Sequence, residues 1–195
     1  ETIREVVEGS GQVQEHVGSR TFSFPATAFW QAHSQAPAAY TQLVTEWLGQ
    51  REYQERTAWD LYGGVGLFVP ALAAAVQGKV ISVDYSPAAT AAEQPCLADC
   101  DVELKSAKVE QVAAQLPKPG AVVLDPPRTG AGKDVIRSVA AAAPQAVVHV
   151  GCDPATFARD LHYWDEHGYG IEKMALINAF PGTHHFETIA LITPA

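Results

Sequence analysis

From Thr57 onward, short apolar runs alternate with helical stretches, and this alternation leaves the chain very few folds. Strands are expected over residues 58–62, 79–84, 102–106, 121–125 and 146–151. Helices are expected between them, over 67–76, 86–98, 109–115 (short), 133–143 and 154–167. A strand followed by a helix and a second strand gives parallel neighbours joined by a right-handed crossover. The last two runs, 171–179 and 186–193, have no helix between them. They are expected to pair as an antiparallel hairpin at the sheet edge. The fold class is therefore α/β, a mostly parallel seven-stranded sheet ending in a C-terminal hairpin. With 47% hydrophobic and 18% charged residues, the 195-residue chain can fill such a core.

The first 35 residues have a different texture. Partial alternation over 2–7 and 12–17, with Ser10-Gly11 between, predicts a hairpin. Residues 20–24 read as a further strand closed by Pro25, and Phe29 to His33 as a loop with exposed aromatics. Pro37 opens a helix through Trp47. Residues 1–35 are thus expected to be a β-rich lead-in, the tail of a preceding domain, and 36–195 the main domain. The chain opens without Met and reads as a fragment of something longer.

Open α/β sheets bind ligands at the C-terminal tips of their strands, so the tip residues carry the functional argument. The first tip, Asp60-Leu61-Tyr62-Gly63-Gly64-Val65-Gly66, has the glycines needed for a tight turn and close backbone approach. Val69 stands where a dinucleotide-binding turn needs its third small residue, so that fingerprint is incomplete. Asp84 ends the second strand and can accept hydrogen bonds from ribose hydroxyls. Together these point to a nucleoside-containing cofactor; a plain structural turn is the alternative. Asp125-Pro126-Pro127-Arg128 closes the fourth strand as a rigid turn holding a polar group over the sheet edge. Gly130-Ala131-Gly132-Lys133 fails the phosphate-loop pattern on both sides and reads as a helix start.

The fifth tip delivers Cys152. Asp153 is a candidate N-cap and Pro154 the first helical residue, so the thiol lies beside a helix N-terminus that favours a thiolate. Glu187 is a rare acid in an apolar strand, read either as a water-facing edge charge or as a functional carboxylate. His184 and His185 lack partners at a metal-ligand spacing, and no metal is expected. Cys96 and Cys100 read as packing residues, and three cysteines without a framework fit a reducing cytoplasm. No apolar run nears the ~20 residues of a membrane span, and no signal peptide is read at the start. A net charge of −9 argues against a dedicated nucleic-acid surface, but not against an enzyme that takes nucleic acid into one pocket.

These motifs, in this order, resemble the S-adenosylmethionine-dependent RNA (uracil-5-)-methyltransferases. The resemblance rests on Asp60-Leu61-Tyr62-x-Gly64-Val65-Gly66, Asp125-Pro126-Pro127-Arg128, Cys152-x-Pro154-Ala155-Thr156-x-Ala158-Arg159-Asp160 and His184-His185-x-Glu187-Thr188. Phe29-x-Gln31 resembles the family's upstream cofactor motif, and the likeness covers about residues 20 to 195. It implies a Rossmann-like class I methyltransferase domain of a cytoplasmic, monomeric RNA-modifying enzyme. The RNA, a tRNA or rRNA, would be bound mainly through N-terminal domains outside this chain. It implies Cys152 as nucleophile, Glu187 as base, and Asp125 with Arg128 orienting the uracil. Gln31, Asp60, Tyr62, Gly64, Gly66, Asp84 and Asp125 would contact S-adenosyl-L-methionine, and Phe29 and Arg128 the substrate. Gly63 replaces a residue that is often Cys in the family, and Asp153 replaces the usual Asn, a charge expected to raise the thiol pKa. Gly151 and His33 also depart from the commonest forms. Two other readings stand beside this one: an N-methyltransferase using the Asp125-Pro126-Pro127 turn to hold an amine, and a non-catalytic cofactor- or RNA-binding module.

Overall fold

The computed structural model describes residues 5–183 and 186–195. It begins with an antiparallel hairpin of β1 (Gln12–Val17) and β2 (Arg20–Pro25). This corrects the hairpin expected around Ser10-Gly11. Val6 and Val7 are exposed and outside any strand, and residues 2–4 lie outside the described residues. Gly18, at φ +59°, turns the chain between Val17 and Arg20, a two-residue connection that suits the twist of paired strands. Gly11 instead closes the open end of the ladder, its carbonyl accepting from Ala26 N at 2.9 Å.

Helix α1 (Ala36–Gly49) follows, with Pro37 in its first turn. Then come β3 (Thr57–Leu61), α2 (Val69–Val76), β4 (Lys79–Asp84), β5 (Val102–Ser106), α3 (Val109–Val112), β6 (Ala121–Leu124), α4 (Gly132–Ala141), β7 (Ala146–Gly151), α5 (Pro154–Glu166), β8 (Tyr169–Ile177) and β9 (Glu187–Pro194). The sheet order is β5-β4-β3-β6-β7-β9-β8. The first five strands are parallel, and β9 runs antiparallel to both neighbours.

One further expectation changes. The helix expected over 86–98 is replaced by two 3-10 turns, Ala91–Glu93 and Pro95–Leu97. Pro95 cannot donate into a helical ladder, and it holds Gln94 extended at φ −71°, ψ 118°. The C-terminal hairpin lies at the sheet edge as expected, with β8 outermost. β9 inserts between β7 and β8, and Glu187 through Ile192 are buried.

The sheet carries a core on each face. Phe22, Phe24, Tyr40, Val44, Leu48 and Leu72 belong to one, and Trp59, Ile136, Phe157 and Trp164 to the other. The lead-in hairpin is tied to the chain after β4 by the Gln94 side chain. Its amide donates to Ser23 O (2.8 Å) and accepts from Ser23 N (3.0 Å), imitating one rung of a strand ladder. Among the described residues, no helix is long and apolar enough to cross a membrane.

Candidate active site

The turn after β3 is built around an unusual backbone. Tyr62 takes φ +62°, a conformation costly for a bulky side chain, and Gly64 and Gly66 take +53° and +86°. Tyr62 N and Gly63 N both donate to Val83 O, which fastens the turn to β4. Gly64 N donates to Asp84 Oδ2 (2.9 Å) and Ser86 N to Asp84 Oδ1 (2.6 Å). Both oxygens of Asp84 are thereby oriented at the strand tip. A side chain at Gly63 would overlap the Asp60 carboxylate and the Ser82 hydroxyl. Gly63 is thus a packing requirement of this chain.

Asp60 and Gly66 stand behind this turn. Asp60 is fully buried and accepts from Ser82 Oγ (3.2 Å), and its Oδ1 has no hydrogen-bond partner among the described residues. Burial raises its pKa to about 7. A Cβ on Gly66 would press on Ala91 and Leu97, so this glycine serves close packing against the 3-10 segment.

One pocket of about 500 Å³ gathers Phe29, Gln31, Tyr62, Asp84, Asp125, Arg128, Cys152 and Glu187. Gly64 lies with Phe29, Gln31, Tyr62 and Asp125 around a small adjoining recess. The sequence places these residues at or just after the C-terminal ends of four strands, at the first residue of β9 and in the loop before α1, and the fold brings them together. A larger groove of about 590 Å³ lies between the hairpin, α1 and α2, but cysteine, histidine and aspartate are absent from its lining residues.

The reacting wall of the pocket is β6, β7 and β9. Gln31 Nε2 donates to Asp125 Oδ2 (3.2 Å). Burial lifts the Asp125 carboxyl to about 6 despite that hydrogen bond. Glu187 is only 6% exposed, because β9 is an interior strand, so the water-facing alternative does not apply. Burial, then the Asp125 charge, raises Glu187 to about 7, against the pull of the Arg128 guanidinium.

Asp153 caps α5 as expected, accepting from Thr156 N (2.9 Å), with Pro154 in the first turn. The Cys152 thiol nevertheless lies above its ordinary pKa. Burial is the first cause, and the charges of Glu187 and Asp125 add to it; Arg128 opposes. The restraint on the thiolate therefore comes first from burial and then from the facing acids.

Tyr40 escaped the sequence reading. Its position on α1 with Ala36, Val44 and Trp47 marks it only as a core residue. It is fully buried, and its hydroxyl has no hydrogen-bond partner among the described residues. Burial, then the charges of Glu187, Asp125 and Cys152, pushes the phenol far above its usual range. His184 and His185 lie outside the described residues.

The chain is similar to known RNA methyltransferases. The sequence pattern of the tRNA (uracil-5-)-methyltransferases matches residues 103–194. An uncharacterized RNA methyltransferase of Corynebacterium glutamicum is 51% identical over 98% of this chain and 48% of its own length. A second, of Corynebacterium efficiens, is 50% identical over 99% and 47%. The crystal structure of the Pyrococcus abyssi tRNA (uracil-54, C5)-methyltransferase in complex with S-adenosyl-L-homocysteine superposes with a TM-score of 0.79. It is 26% identical and covers 95% of this chain and 45% of that one. The chain spans about half the length of the curated relatives it matches. The chain is thus similar to RNA methyltransferases over nearly its whole length, and through residues 103–194 to the tRNA (uracil-5-)-methyltransferase family.

Proposed function

We propose that this chain is the catalytic part of an S-adenosyl-L-methionine-dependent enzyme that methylates carbon-5 of a uridine in RNA. The observation that carries the reading is the meeting of Cys152 and Glu187, the latter poised near neutrality, in one pocket with Asp125 and Arg128. Methylation of an amine has no use for a thiol facing such a carboxylate.

The donor set fits the cofactor. Asp84 offers a fixed acceptor pair suited to ribose hydroxyls, and Tyr62 supplies an aromatic face. Gln31 and Asp125 form a polar pair at the other end. When bound, S-adenosyl-L-methionine supplies an electrophilic methyl group on a sulfonium.

Carbon-5 of uracil is a weak nucleophile. The Cys152 thiolate adds to carbon-6, and the electron pair moves toward the carbonyl oxygen, leaving an enolate with a reactive carbon-5. Arg128 and Asp125 both line the pocket; in this reading Arg128 stabilises that oxygen and Asp125 orients the ring. Once carbon-5 carries the methyl group, Glu187 takes its proton. The C5=C6 bond re-forms and the Cys152 sulfur leaves as thiolate. Phe29, exposed at the pocket mouth, offers a stacking face to a uridine turned out of its helix.

In this reading residues 1–35 are the tail of a preceding domain and 36–195 the methyltransferase domain. RNA is held mainly by N-terminal domains outside this chain, and the enzyme acts as a monomer in the cytoplasm. The test is Cys152→Ala in the full-length protein, with unmodified tRNA and rRNA as substrates and 5-methyluridine read by mass spectrometry. Methylation is expected to vanish while cofactor binding persists; full activity in the variant contradicts the reading.

A further inference from the structure

Three polar residues of the Cys152 motif take no part in the reaction above: Thr156, Arg159 and Asp160. All three lie on α5, close together along its axis. They face the loop between β6 and α4, which carries Arg128.

The contacts are specific. Thr156 Oγ1 donates to Arg128 O at 2.9 Å. Arg159 Nη2 donates to Thr129 O at 2.7 Å and to Asp160 Oδ1 at 2.8 Å. Asp160 is fully buried, and its Oδ2 accepts from Ala131 N at 2.6 Å, with Gly132 N at 3.3 Å from Oδ1.

The Gly130-Ala131-Gly132 stretch thus does cradle an anion, but the anion is the chain's own carboxylate. The first N–H groups of a helix have no partners within it, and they favour negative charge. Ala131, the N-cap of α4, makes no side-chain cap of its own, and Asp160 fills that place from α5. Gly130, at φ +77°, has no room for a side chain, because a Cβ would overlap Asp160 and Arg159. Behind Asp160 stands His149, whose Nε2 lies 3.8 Å from Asp160 Oδ2 and whose Nδ1 accepts from Trp164 Nε1 at 3.0 Å. Cys152 lies between His149 and α5 in the chain.

We propose that Thr156, Arg159 and Asp160 are positioning residues that clamp the Arg128 loop to the strand and helix bearing Cys152. The clamp fixes the guanidinium against the ring that the thiolate attacks. This rests on the reading of Arg128 as a contact to the uracil. Thiol and guanidinium must act on opposite ends of one conjugated system, so their separation has to be held. A displacement of about 1 Å at such a site can cost up to about a hundredfold in rate.

A double-mutant cycle in the full-length enzyme tests this, using Thr156→Val, Arg128→Ala and the pair, with Thr156→Ser as the conservative control. Thr156→Val is expected to lower kcat/KM for RNA about tenfold, with the cofactor Kd unchanged, and Thr156→Ser to stay within about twofold of wild type. Without Arg128, Thr156→Val is expected to cost less than about twofold, because nothing remains to be positioned. An equal loss with and without Arg128 overturns the clamp, and so does an Arg128→Ala enzyme of unchanged kcat/KM. Amide exchange gives a second readout. Ala131 and Gly132 are expected to exchange about tenfold faster in Asp160→Asn, and unchanged exchange overturns the proposal. Failure of the wider reading shows elsewhere, as full methylation by Cys152→Ala.

Discussion

The two walls of the strand-tip pocket hold their acids in opposite ways. On the β3–β4 side, each oxygen of Asp84 accepts a backbone N–H, from Gly64 and from Ser86. On the β6–β7–β9 side, Asp125 and Glu187 face a thiol in a dry setting, and both are lifted toward neutrality. A carboxylate whose two oxygens are oriented by backbone N–H groups presents a fixed pair of acceptors and suits binding. A crowded, poorly solvated one exchanges its proton near neutral pH and suits catalysis. The difference predicts that substitutions on the two walls separate into loss of chemistry and loss of affinity.

The largest effect is expected at the reacting wall. Cys152→Ala should abolish turnover while the cofactor Kd, read by titration calorimetry, moves less than about threefold. Glu187→Gln should lower kcat by about 10²- to 10⁴-fold, the usual scale of a lost general base. Its mark should be a covalent RNA–protein complex that persists after methylation, visible on a denaturing gel. A Glu187→Gln enzyme with weakened cofactor binding and intact kcat would erase the contrast between the walls.

Proton uptake sharpens it further. Glu187 titrates near 7 in the folded protein and near 4.5 ordinarily, so the folded state holds a proton that the unfolded chain has released. Stability from this source is present at low pH and is lost as pH rises from about 4.5 through about 7. Glu187→Gln should therefore unfold like wild type at pH 4. At pH 8 it should be more stable by on the order of 1 kcal/mol, a figure reduced for the carboxyl's remaining solvent contact. Denaturant melts at the two pH values check this. The smallest effect is expected at the binding wall, where Asp84→Asn should raise the cofactor Kd about tenfold and leave kcat at saturation nearly unchanged.

Much of the fold was legible because parallel strands buried on both faces read as continuous apolar runs. The tips of β3, β4, β6 and β7 all fell where such runs end. Local pattern did not reveal that β9 lies inside the sheet, since strand order is a tertiary property; hence Glu187 kept a bland reading beside its functional one. The 86–98 stretch misled because its composition suits a helix while Pro95 forbids one. Tyr40 and Asp160 were hidden for a different reason. Tyr40 shares a helix face with core residues, and Asp160 meets Ala131 only through packing of α5 on α4.

The central claim, a covalent bond between Cys152 and the target uridine, is tested most directly by RNA carrying 5-fluorouridine. Fluorine at carbon-5 cannot leave as a proton does, so the base has nothing to remove and the adduct cannot resolve. A denaturation-resistant complex is expected in the presence of S-adenosyl-L-methionine, with peptide mass spectrometry locating the uridine on Cys152. Methylated product released without an adduct, or an adduct on another residue, would contradict the account.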